Sequence, residues 1–141
     1  MGTKGTVVVL STAGEGSQKE VEILNLYKGG MAHPDVLGKS IAEFLVKREY
    51  RGVSDLGVKL VAHLAREWDD VRLSIPGERA GYHLFTVWVN EEGQGLMEIR
   101  QLYLNFNRTI VFSGHPQEWL NEVARTEAES EAATRAVAKE A

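Results

Sequence analysis

A chain of 141 residues, 43% apolar and 26% charged, is long enough to bury one core and fits a single folded domain. It contains no cysteine, which excludes a disulfide framework, a thiolate metal site and a cysteine nucleophile, and which suits a reducing compartment. The net charge of −4, with both signs interspersed, argues against a nucleic-acid partner, whose phosphates call for a basic face.

The first expected element is a hairpin. Thr6 to Leu10 is a β-branched run, and Lys19 to Tyr27 alternates Val21 and Ile23 with Glu20 and Glu22. The small-residue loop between them, Ser11 to Gln18, is no phosphate loop, because no Gly-Lys-Ser/Thr follows and the next element is a strand. The opening apolar run is too short for a signal peptide, and no stretch reaches membrane-spanning length. Gly2 and Thr6 alone do not make a myristoylation signal. The expectation is a cytoplasmic protein without membrane contact.

Lys28-Gly29-Gly30 breaks the strand, and Pro34 is placed to open a helix. Leu37, Ile41, Phe44 and Leu45 then recur at helical spacing, with Lys39, Glu43 and Lys47 facing away. Ser54 and Asp55 mark a second start, followed by the stripe Gly57, Leu60, Val61, Leu64 and Trp68. These spacings predict helices over 34–48 and 54–68. The basic cluster Lys47, Arg48 and Arg51 reads as the solvated end of the first helix.

Beyond Asp69-Asp70 the period drops to two. Val71, Leu73 and Ile75 form a strand ended by Pro76-Gly77. Tyr82 to Val89 is apolar on both faces, as expected of a central strand covered on both sides. Glu91 to Gly95 is a hairpin loop, and Leu96 to Asn105 returns with Glu98 and Arg100 opposite Met97, Ile99 and Tyr103. Asn107-Arg108 turns into a strand over 109–112. A last helix starts at Gly114-His115-Pro116 and buries Trp119, Leu120 and Val123. The expected fold is α+β: an antiparallel sheet with a two-helix insertion and a C-terminal helix, in the order ββ-αα-βββ(β)-α. Residues 1–125 form the domain, and 126–141 form an Ala/Glu-rich tail, helical or frayed, with little to bury.

No arrangement of chemistry-bearing residues stands out. None of His33, His63, His83 and His115 lies four residues from another, so no helical metal pair exists, and no metal or cofactor is expected. Asn90, Glu92 and Gln94 alternate like calcium ligands, but Gln101 stands where the bidentate carboxylate belongs. Ser40 lies inside a helix rather than in a nucleophile elbow. The best candidate for a small anionic ligand, such as a nucleotide, is Lys28, Gly29, Gly30 and His33, in the loop before the first helix. Asp35 and the missing N–H of Pro34 count against it.

Tyr27, followed eleven residues later by Gly38-Lys39 with Ile41, Phe44 and Leu45 behind, gives residues 6–65 a layout. It resembles that of a group of small bacterial and phage proteins of largely uncharacterised function. Their loop has a His-Trp-Asp-Gly-Tyr core, whereas this chain reads Lys28-Gly29-Gly30-Met31-Ala32-His33-Pro34. The resemblance implies an intracellular, phage-encoded protein and carries no activity with it. The leading functional expectation is a non-enzymatic binding or regulatory protein that acts on another macromolecule. A protein partner, or a second copy covering the doubly apolar strand, would be its contact. The small-ligand reading ranks second, and an enzyme with a dispersed acid–base site ranks last.

Overall fold

Among the described residues the β-branched runs and helical stripes assemble into one six-stranded sheet with three helices. The structure is a computed structural model that describes residues 3–12, 20–102 and 109–140. In chain order the elements are β1 (Gly5–Thr12), β2 (Glu20–Lys28), α1 (Leu37–Lys47), α2 (Gly52–Glu67), β3 (Val71–Leu73), β4 (His83–Val89), β5 (Gly95–Gln101), β6 (Thr109–Gly114) and α3 (Pro116–Glu140). The sheet order is β3-β2-β1-β4-β5-β6. This element order matches the sequence reading, but the sheet is mixed rather than purely antiparallel, because β1 and β4 run parallel. The reason lies in the connection. After β3 pairs antiparallel with β2 at one edge, residues 74–82 return across the sheet and enter β4 beside β1, in the direction of β1.

Register then sorts the side chains. Leu26, Val7, Phe85, Ile99 and Phe112 form one row across five strands, and Leu24, Val9, Val87 and Met97 form the next. Both rows face the helices. Ile41, Phe44 and Leu45 of α1, Leu56, Leu60 and Leu64 of α2, and Trp119 and Val123 of α3 close over them as a single core. Each such side chain contributes about 1.5–3 kcal/mol by leaving water. Gly38 lets α1 and α3 approach: a Cβ there would stand 2.9 Å from Ile99 Cδ1 and 3.1 Å from Trp119 Nε1. Trp119 Nε1 donates to the Pro34 carbonyl at 3.0 Å, which pins the start of α1 to α3.

The opposite face is crossed by the 74–82 segment. Ile75 to Glu78 makes a turn with Pro76 second and Gly77 third at φ +90°, the combination a type II turn requires. Asn25, 3% exposed, donates through Nδ2 to the carbonyls of Ile75 and Glu78 and to Glu22 Oε2. Thr6 exchanges hydrogen bonds with the backbone of Ala80. Glu22 and Asn25 lie three apart, so regular alternation would put them on opposite faces. The register shift at Val9/Leu10 adds one residue to β2 and brings them together. Burial pushes the Glu22 carboxyl up, but hydrogen bonds from Arg79, the Gly77 N–H and Asn25 outweigh it and hold the carboxyl below its ordinary range.

Two helix starts differ from the spacing-based boundaries. Pro34 to Val36 forms a turn, and the N–H groups of Val36, Leu37 and Gly38 converge on the His33 carbonyl, so α1 begins at Leu37. α2 begins at Gly52 rather than at Ser54, because Asp55 Oδ2 reaches back to accept the Arg51 N–H at 2.7 Å. β4 is central, with Leu84, Phe85, Thr86 and Val87 buried on its two faces, as the doubly apolar run requires. Tyr103 falls outside the described residues.

Candidate functional site

The four residues of the loop before α1 do not share one open surface. Lys28 ends β2 with its side chain 1% exposed, and its ammonium donates to Asp70 Oδ1 and to the Gly30 carbonyl, both at 2.5 Å. The same nitrogen sits 4.7 Å from the centre of the Trp68 ring. Gly29 donates its N–H to the Asp70 carbonyl, and a Cβ at Gly29 would stand 3.2 Å from that of Asp70. His33 turns away, with Nε2 3.0 Å from Thr3 Oγ1. Lys28 and Gly30 are therefore brought together, but by an internal bond that ties the end of β2 to the start of β3. Trp68 and Asp70 are the partners that sequence reading does not reveal, because they lie some forty residues away.

One cluster contains a hydroxyl, an imidazole and a carboxylate. Ser40 of α1 lies 2.9 Å from His63 Nε2 and donates to Glu67 Oε1 at 3.1 Å, and His63 Nε2 lies 3.2 Å from the same carboxylate. Nucleophilic catalysis needs the imidazole to accept the serine proton while a carboxylate holds its other nitrogen. Here the hydroxyl proton goes to Glu67, and both partners share Nε2. Ser40 is also only 4% exposed, and the His63 ring packs on Phe44 at 5.4 Å. The cluster links α1 to α2 and is not arranged for acyl transfer. The i, i+4 spacing of His63 and Glu67 is legible in the sequence; the arrival of Ser40 is not.

The remaining histidines are scattered. His83 opens β4, its Nδ1 is buried without a hydrogen-bond partner, and burial, aided by the charge of His33, lowers its pKa. His115 precedes α3, and its carbonyl accepts the Glu118 N–H at 3.0 Å, the same use that α1 makes of His33. Among the described residues no three His, Asp or Glu side chains gather to hold a metal ion. Asn90, the first of the calcium-like positions, turns its side chain inward: Oδ1 accepts the N–H groups of Glu92 and Gln94.

The C-terminal helix presents a different kind of surface. α3 runs for 25 residues, but among its described side chains the buried positions end at Val123. Every residue from Ala124 to Ala138 is exposed, a length of about 22 Å at 1.5 Å per residue. The helix is held along this length by its own side chains. Arg125 bridges Glu122 and Glu129, and the hydroxyls of Thr126 and Thr134 bond the carbonyls of Glu122 and Ser130. Lys39 of α1 reaches Glu127 at 3.7 Å. Beyond that contact Ala128, Ala132, Ala136 and Val137 are exposed, Val137 at 69%. Among the described residues no helix is long and apolar enough to cross a membrane.

Comparison with protein-family models, with curated proteins and with solved structures gives no match.

Proposed function

We propose that this chain is a non-enzymatic binding protein that engages a protein partner through the exposed length of α3. One observation carries the reading: fifteen consecutive helical residues, Ala124 to Ala138, are exposed, with the Lys39–Glu127 ion pair tying the near end of this stretch to the domain that roots it. A helix with so little to bury gains almost nothing from its own domain, and most helical stability in proteins comes from packing an apolar face. An alanine-rich side flanked by Glu127, Glu131 and Arg135 is a surface on which another helix can lie closely. The engaged state of Lys28 and the sharing of His63 Nε2 favour this reading over a small-anion site in the loop before α1, and over hydrolytic chemistry.

The absence of native cysteine supplies the test. A photocrosslinker attached to Ala132→Cys gives one discrete adduct in extract of cells that express the protein, whereas the same reagent on Val58→Cys, also exposed, gives none. Excess unlabelled full chain competes the adduct away. Excess chain ending at Arg125 does not, although it keeps Trp119, Leu120 and Val123 and with them its core. An adduct of twice the chain mass identifies the partner as a second copy. Equal competition by the shortened chain removes α3 from the mechanism.

A further inference from the structure

A cleft of about 210 Å³ lies where the end of α1, the β4–β5 hairpin and the root of α3 meet, lined by Leu45, Val46, Arg48, Tyr50, Gln94, Gly95, His115, Pro116 and Gln117. Its floor is fixed. The Tyr50 hydroxyl donates to the Leu45 carbonyl at 3.1 Å and accepts the Gly95 N–H at 2.9 Å. A Cβ at Gly95 would stand 2.5 Å from that hydroxyl oxygen and 2.8 Å from Leu45 Cδ2, so only glycine leaves this wall in place.

The polar groups on the rim are mostly donors. Gln94 Oε1 already accepts from Asn90 Nδ2 at 3.1 Å, which leaves its NH₂ for something else. Neither the Arg48 guanidinium nor the His115 ring has a hydrogen-bond or ion-pair partner among the described residues. Arg48 is moreover held at φ +54°, left-handed backbone that is uncommon for a residue other than glycine, as the cap that ends α1. Gln117 donates Nε2 to Asn121, which leaves its carbonyl as an acceptor on the rim. Unmatched donors, a fixed positive charge and an apolar floor of Leu45, Val46 and the Tyr50 ring call for an anionic head on a compact apolar body. Open to solvent and about 210 Å³ in volume, the cleft admits a small molecule.

We propose that this cleft binds a small organic carboxylate bearing a short, branched apolar group, with Arg48 and the Gln94 amide on the carboxylate. Isovalerate is the probe. In ¹H–¹⁵N spectra of the full chain, isovalerate produces saturable shifts of the Arg48, Tyr50, Gln94, Gly95 and Gln117 amides. The matching alcohol, isoamyl alcohol, leaves them in place, and inorganic phosphate binds at least tenfold more weakly. Arg48→Gln, at a position outside the core, weakens isovalerate at least tenfold while the spectrum stays dispersed, and Gln94→Glu, which sets a second carboxylate against the ligand, weakens it likewise. Absence of saturable shifts, an equal response to the alcohol, phosphate binding as tight as isovalerate, or unchanged affinity in Arg48→Gln would each overturn the assignment. None of these outcomes bears on α3.

Discussion

Removing either partner of the Lys28–Asp70 pair breaks the same bond, yet the two removals differ in cost because the partners differ in burial. Lys28 is 1% exposed, whereas the Asp70 side chain is 37% exposed. Asp70→Ala strands a buried ammonium with one carbonyl, that of Gly30, and the face of Trp68. An uncompensated charge of this kind costs about 3 kcal/mol. Lys28→Met removes the buried charge, keeps an apolar stem against Trp68 and returns Asp70 to water. Only the Gly30 carbonyl loses a donor, at about 1 kcal/mol. Urea denaturation followed by far-UV circular dichroism should therefore place Asp70→Ala about 2 kcal/mol below Lys28→Met. In the Lys28→Met background, Asp70→Ala should cost less than about 1 kcal/mol, a coupling of more than about 2 kcal/mol. Asp70→Ala should also gain stability from added phosphate, because its freed ammonium can take an anion, and the parent chain should not. If Lys28→Met costs as much as Asp70→Ala, burial is not what sets the difference and the reasoning fails.

Ser40→Ala should cost about 1 kcal/mol in the same assay, since His63 and Glu67 keep each other when the hydroxyl goes; a loss above about 3 kcal/mol would show that the hydroxyl does more than link α1 to α2. His83 has its pKa lowered by burial and by His33, so the folded state disfavours its protonation. Its contribution is fully present above the unfolded value of 6.5 and is lost as pH falls from there toward the lowered folded value. Comparing stability at pH 7.5 and pH 5 in the parent and in His83→Gln measures this: the variant should lose less on acidification, and an equal loss would assign the acid sensitivity elsewhere.

Much of the architecture is legible along the chain. A β-branched run places β1, alternation places β2 and β5, a run apolar on both faces places β4, helical stripes place α1 and α2, and the change of composition after Arg125 marks where α3 stops burying side chains. Short-range chemistry suffices for these, because each depends on neighbours within one or two turns or on simple alternation. Boundaries depended on single hydrogen bonds that alternation does not encode, as with Asp55 reaching Arg51. Only tertiary structure decided the rest. The parallel pairing of β1 with β4 follows from where residues 74–82 cross, and that path is set by Asn25 and Thr6, some fifty and seventy-four residues away. The state of Lys28 was equally beyond local reading: a lysine beside two glycines looks available to an anion until the fold delivers Asp70 and Trp68 to its ammonium. The cleft at Arg48 unites three segments that share no motif, since a cavity belongs to packing and has no period in sequence. Sequence by itself determined which stretches bury apolar faces, because hydrophobic periodicity is a one-dimensional record of secondary structure. Which polar groups are left over for a partner was decided by long-range contacts, because satisfying a buried donor or charge depends on what the fold brings within 3 Å of it.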